Sequence, residues 1–154
     1  MKLYRNRREK TEWMVQQFKP VFEGANSVLD VGCDRKYLKR YLSDRINYVG
    51  IDIAGTPDIY FDLDKEGKLP FEDNSFDLVV CADVLEHLEN IHFVFDELAR
   101  ISNKYILVSL PNPVSGVIAY FLGSKCSKSL EKRKEFGKYM KFYGLPLEKP
   151  CLLY

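Results

Sequence analysis

The sequence predicts a single α/β domain built on a mostly parallel sheet, and three observations point to it. Short β-branched apolar runs alternate with stretches of helical spacing. Two of the runs, Phe76–Cys81 and Tyr105–Ser109, are apolar along most of their length, as strands covered on both faces are. Gly, Asp or Pro follows within two residues of where each run stops. At 154 residues the chain is long enough to bury one core without a metal or disulfides.

The elements follow in order. From about Leu3 to Phe22, Trp13, Met14, Val15 and Phe18 stand among charged residues, predicting a capping helix that ends near Lys19-Pro20. Ser27–Val31 is a strand closed by Gly32. Tyr37, Leu38, Tyr41 and Leu42 then recur at helical spacing, giving strand, turn and helix. Tyr48–Ile53 is a second strand broken by Gly55-Thr56-Pro57, and Asp58–Leu63 a third, reached without room for a full crossover helix. The central strand Phe76–Cys81 leads through a turn to a helix with Asn90 at its N-cap and Ile91, Val94, Phe95, Leu98 and Ile101 on one face. Tyr105–Ser109 is a further buried strand, stopped by Leu110-Pro111-Asn112-Pro113. Two helical stretches, 115–122 and 129–142, and a short apolar end at Cys151–Tyr154 complete the chain, with no closing antiparallel hairpin in evidence. Right-handed crossovers place helices on both faces of such a sheet.

Composition narrows the function. The chain is 46% hydrophobic and 29% charged with a net charge of +1, which gives no global pull toward nucleic acid. Residues 51–97 carry thirteen Asp or Glu against two Lys, whereas residues 125–149 carry eight Lys or Arg against three Glu. An acidic centre suits a ligand with positive charge, although most such carboxylates are solvated surface, as is the basic face of Lys132, Arg133, Lys134, Lys138 and Lys141. Cys33, Cys81, Cys126 and Cys151 form no CxxC pair, and His87 and His92 lack metal-ligand helical spacing, so neither zinc nor a disulfide framework is expected. No apolar run is long enough to span a bilayer, and a cytoplasmic protein is expected.

In open α/β sheets ligands bind beyond the carboxyl ends of the strands, so the residues just after each strand are the informative ones. Asp30-Val31-Gly32-Cys33-Asp34 offers a glycine for a tight turn, followed by a helix start that favours an anion. Asp52, about twenty residues on, can accept both hydroxyls of a ribose. Asp62-Leu63 and the run from Cys81 through Ala82 and Asp83 to Glu86-His87 follow the next two strands.

These stretches, with Val49-Gly50-Ile51-Asp52, Leu69-Pro70-Phe71 before Phe76-Asp77, Val84-Leu85-Glu86-His87-Leu88 and Leu107–Asn112, resemble the class I S-adenosylmethionine-dependent methyltransferases in order and spacing over most of residues 27–113. The resemblance implies a Rossmann-like sheet of strand order 3-2-1-4-5. It divides the chain into an N-terminal capping helix (1–24), a cofactor-binding core (27–113) and a helical, basic C-terminal segment (114–154) of one methyltransferase-like domain. It implies further that Gly32, Cys33 and Ala82 approach the methionine part of the cofactor and that Asp30 orients the turn and the ligand ammonium. Asp52 and Ile53 then hold ribose and adenine, and Asp62 and Leu63 contact the adenine edge. The product is S-adenosylhomocysteine and the acceptor a small molecule, a sugar or lipid precursor included. His87 is the first candidate for a general base and Glu86 the second, because both follow the fourth strand. The family pattern Asp/Glu-x-Gly-x-Gly-x-Gly keeps one glycine here, with Asp34 and Lys36 in the other two places; Asp tolerates a left-handed backbone, and Lys36 is placed to supply a cation to the cofactor carboxylate. The altered loop leaves a non-catalytic binding module as the alternative. A nicotinamide oxidoreductase is disfavoured because Gly-x-Gly-x-x-Gly is absent.

Overall fold

The computed structural model describes residues 6–110 and the backbone of residues 151–153. Six strands form one sheet: β1 (Ser27–Val31), β2 (Asn47–Asp52), β3 (Ile59–Tyr60), β4 (Phe76–Ala82), β5 (Ser102–Ser109) and β6 (Cys151–Leu153). Their order is β3-β2-β1-β4-β5-β6, and every pairing is parallel. The expected order 3-2-1-4-5 is therefore present. The chain leaves β1 toward β2 on one side and returns from β3 to β4 on the other, so the topological switch point lies between the carboxyl ends of β1 and β4.

The sheet is buried because both faces are covered. On one face α1 (Arg7–Gln17), α2 (Lys19–Glu23) and a 3₁₀ turn at Leu38–Tyr41 pack Met14, Phe22 and Leu38 against Val28, Leu78, Val80 and Leu107. On the other, α3 (Ile91–Ile101) packs Val94, Leu98 and Ile101 against Leu29, Val31, Val79, Cys81, Ile106 and Val108. The alternation of partners along β1, β4 and β5 is the period of two that a strand imposes. β4, read as central, is buried from Phe76 to Cys81.

Three expectations need correction, and two elements gain detail. The capping helix ends just before Lys19-Pro20, as expected, with Phe18 capping α1, and a short second helix follows in which Pro20 sits in the first turn, where its missing N–H costs nothing. The helix expected after Gly32 is a single 3₁₀ turn, because Asp34 and Lys36 hold positive φ (47° and 53°) and helical geometry cannot begin before Tyr37. The third strand shrinks to Ile59–Tyr60, since from Phe61 the chain turns its apolar side chains into the core on the α3 side. The short apolar end adds a strand to the sheet, Cys151–Leu153 in register with Ile106–Val108. Asn90 occupies the N-cap of α3 but does not cap it, its Nδ2 donating instead to the Leu63 carbonyl (3.1 Å). The helices expected at 115–122 and 129–142, Pro111-Asn112-Pro113, the basic face around Lys132–Lys141 and the place of a closing hairpin lie outside the described residues.

Two polar clamps explain motifs that look like site residues. Asp77, at the amino end of β4, accepts from the Asn26 N–H (2.9 Å) and Asn103 Nδ2 (3.1 Å) and pairs with Lys104 (3.1 Å), tying β1 and β5 to β4 at the edge remote from the switch point. Burial pushes its carboxyl up, but these donors hold it below the ordinary carboxylate range. The Leu69-Pro70-Phe71 stretch is held by α3: Glu97 accepts from the Leu69 N–H (2.8 Å), and Arg100 donates to the carbonyls of Phe71 (2.8 Å) and Leu69 (3.2 Å) while pairing with Glu97 (2.7 Å). Phe71 and Phe76 meet edge to face at 5.0 Å.

Candidate cofactor cleft at the switch point

The turn after β1 is built from three left-handed residues. Gly32 (φ 77°), Asp34 and Lys36 all have positive φ, so all three positions of the family's glycine pattern keep a glycine-like backbone although two carry side chains. A left-handed non-glycine residue costs about 1–2 kcal/mol, and the surroundings offset that cost. The Asp34 N–H donates to Asp52 Oδ2 (2.8 Å), the Lys36 N–H to the Cys33 carbonyl (2.7 Å), and the Thr56 N–H to the Asp34 carbonyl (2.8 Å). Lys36 pairs with Asp58, which also accepts from the Gly50 N–H. The Lys36 ammonium is thus bonded to Asp58 rather than presented to a cofactor carboxylate, correcting the role expected for it. At Gly32 a Cβ would lie 2.2 Å from Val84 Cγ2, so this position admits no other residue without movement.

A narrow cleft opens beside this turn, with an open volume of about 40 Å³. Asp30, Gly32, Cys33 and Ala82 line it, together with Val80 and Asp83 from β4 and its turn. Its remaining wall was not foreseen. Arg7, Lys10, Thr11 and Met14 of α1 lie at spacings of three, one and three residues along one helix face and close the cleft from above. The spacing is visible in the sequence, but the polar residues within it resemble a solvated face. Lys10 Nζ donates to Asp83 Oδ1 (2.6 Å), Asp83 Oδ2 (2.7 Å) and Ser109 Oγ (3.0 Å), and Arg7 reaches Asp34 at 3.6 Å. Asp83 is itself left-handed (φ 56°), and its N–H donates to the Ser109 carbonyl (3.1 Å).

The electrostatics of the floor are unusual. Asp30 is buried, and burial raises its carboxyl from 3.8 to about 6, against the hydrogen bond it receives from the Tyr48 hydroxyl (2.7 Å) and with the Asp52 charge adding to the rise. The Tyr48 phenol is pushed well above its ordinary value by burial and by Asp30, so it remains a donor. Cys33 is pushed up to about 12, first by burial, which keeps it a thiol and removes it as a nucleophile.

The other expected residues stand outside the lining. Asp52 spends one oxygen on the Asp34 N–H and the other on the Ala54 N–H (3.1 Å), and Ile53 next to it is exposed. Asp62 closes its own turn, accepting from the Asp64 N–H (3.1 Å) and Lys65 (2.8 Å), and the Leu63 side chain belongs to the core. Glu86 and His87 lie on a second 3₁₀ turn, Leu85–His87. The Glu86 side chain is 8% exposed and that of His87 71%, with 3.9 Å between Oε1 and Nε2. Burial, with Asp83 nearby, raises the Glu86 carboxyl above its ordinary range, and its Oε2 finds no donor among the described residues.

Residues 29–104 match the family model described as a methyltransferase domain. No curated protein matches the sequence. Among solved structures, a SAM-dependent methyltransferase from Archaeoglobus fulgidus aligns with a TM-score of 0.58 at 22% identity, over 86% of this chain and 69% of that one. The complex between the Haloferax volcanii Trm112 methyltransferase activator and a methyltransferase gives a TM-score of 0.43 at 20% identity, over 66% of this chain and 58% of that one. A protein from Methanococcus maripaludis, described as S-adenosyl-L-methionine-dependent, gives 0.46 at 16% identity, over 87% and 80%. Residues 29–104 thus resemble a methyltransferase domain, and the described sheet shares the α/β, Rossmann-like fold of the Archaeoglobus protein. It spans 58% of the Haloferax chain's length and 69% of the Archaeoglobus chain's. Among the described residues no helix is long and apolar enough to cross a membrane.

Proposed function

We propose that this chain binds S-adenosylmethionine at the switch point between β1 and β4 and transfers its methyl group to a small-molecule acceptor, a sugar or lipid precursor included. The observation that carries this reading is the turn after β1, which keeps positive φ at positions 32, 34 and 36 despite losing two glycines. The chemistry of the donor set agrees with the cofactor: the acids Asp30 and Asp83 in the cleft suit an ammonium, and Asp52, at the carboxyl end of β2 and outside the lining, is the acid we assign to a ribose diol. In this reading Gly32, Cys33 and Ala82 flank the methionine part, Ile53 covers the adenine, and Asp62 and Leu63 meet its edge.

The cofactor supplies an electrophilic methyl on a sulfonium, so the residues of the chain serve chiefly to position the partners and exclude water. Where the acceptor carries a proton to be removed, Glu86 suits the task better than His87: its buried carboxyl has a raised pKa, whereas His87 is mostly in solvent.

One observation favours a second reading, a binding module that no longer turns over. The cleft of about 40 Å³ is far below the roughly 300–1,000 Å³ of usual ligand sites. The two readings separate on incubation with methyl-labelled S-adenosylmethionine and a panel of sugar and lipid-precursor acceptors. Label transfer abolished by Gly32→Ala supports the enzyme. Tight cofactor binding with no transfer to any acceptor supports the module.

A further inference from the structure

The contact that narrows the cleft has a chemistry of its own. Lys10 on α1 and Asp83 on the β4 turn form a bidentate pair at 2.6 and 2.7 Å, shared with Ser109, and their side chains are only 23% and 32% exposed. Ser109 Oγ also donates to Asp83 (3.0 Å), so the carboxylate stays hydrogen-bonded if Lys10 swings away. Both partners line the cleft, with Arg7 one helical turn before Lys10 and loosely engaged with Asp34 at 3.6 Å. The loop's own helix cannot supply an anion site, being one 3₁₀ turn preceded by the carboxylate of Asp34. The cations that line the cleft are therefore on α1.

Resting on the cofactor reading above, we propose that the Lys10–Asp83 pair is a latch that opens on, and is replaced by, the zwitterionic end of the ligand. The ligand ammonium takes the place of Lys10 on Asp83, and the ligand carboxylate takes the place of Asp83 on Lys10, with Arg7 beside it. One ion pair is exchanged for two of the same kind, so opening the cleft leaves no buried charge unmatched. A ligand with only one of the two charges satisfies one half of the latch and strands the other. The cleft thereby selects amino-acid-bearing nucleosides over nucleosides without that end.

The test compares three ligands by calorimetry on the full chain: S-adenosylhomocysteine, its decarboxylated analogue, which keeps the ammonium, and 5′-methylthioadenosine, which has neither charge. Lys10→Gln is expected to weaken S-adenosylhomocysteine by about tenfold or more. It should tighten the decarboxylated analogue, because Asp83 is then free, and leave 5′-methylthioadenosine within about twofold. Lys10→Arg, which keeps the charge, should restore most of the S-adenosylhomocysteine affinity. Equal weakening of all three ligands by Lys10→Gln, or of none, overturns the latch while leaving cofactor binding in place. Failure of the wild-type chain to bind any of the three overturns the cofactor reading and the latch with it.

Discussion

Replacing Asp30 by Asn should change the pH dependence of stability in a way that no surface acid can. The Asp30 carboxyl sits at about 6 in the folded chain against 3.8 for the free group. The folded state therefore keeps a proton that the unfolded chain has already lost between about pH 4 and 6. Over that window the unfolded chain binds fewer protons, so stability falls as pH rises. The contribution is intact below about pH 4 and lost above about 6. A span of about two pH units at about 1.4 kcal/mol each corresponds to about 3 kcal/mol. Asn keeps the shape and can still accept from the Tyr48 hydroxyl, but it does not titrate. Urea unfolding of both proteins from pH 4 to 8 cancels the titrations they share. The stability of Asp30→Asn minus that of wild type should climb by about 3 kcal/mol between pH 4 and 7. Parallel curves would refute the raised pKa, and a falling difference would mean that Asp30 is held as an anion.

Three further outcomes follow from particular contacts. If a ligand ammonium settles beside Asp30 it should pull that carboxyl back toward its ordinary value, releasing about half a proton per ligand at pH 6, measurable as a buffer-dependent binding enthalpy. Gly32→Ala should cost about 2–4 kcal/mol in thermal or chemical unfolding, since it adds left-handed strain to a Cβ placed 2.2 Å from Val84 Cγ2. Arg100→Met should cost about 3 kcal/mol, because it leaves buried Glu97 without its cation and frees the carbonyls of Leu69 and Phe71; Arg100→Lys should recover only part of that.

The sheet was legible because its strands are covered on both faces. Phe76–Cys81 and Tyr105–Ser109 read as continuous apolar runs, and Ile91, Val94, Leu98 and Ile101 changed the period to that of a helix. That Asp30, Gly32, Cys33 and Ala82 line one cleft was legible because a parallel sheet gathers the residues just past its strand ends at the switch point. Arg7 and Lys10 were not, since where α1 crosses the sheet edge is a tertiary fact with no local signature. The short 3₁₀ turn was hidden because apolar spacing at Tyr37, Leu38, Tyr41 and Leu42 carries no information about the left-handed backbone before it. Cys151–Leu153 depends on its partner strand, and three residues are too few to show a period. The Leu-Pro-Phe and Phe-Asp stretches lie within the residues that match the methyltransferase-domain model, yet Arg100 and Asp77 show them holding the scaffold.

The central claim, that the cofactor sits between the carboxyl ends of β1 and β4 under α1, is tested most directly by amide chemical shifts of the labelled full chain titrated with S-adenosylhomocysteine. The account predicts saturable shifts concentrated at residues 32–34, 52–54 and 82–84, accompanied by residues 7–11 of α1. No shifts at millimolar ligand, or shifts confined to residues 42–48 at the opposite end of β2, would contradict it.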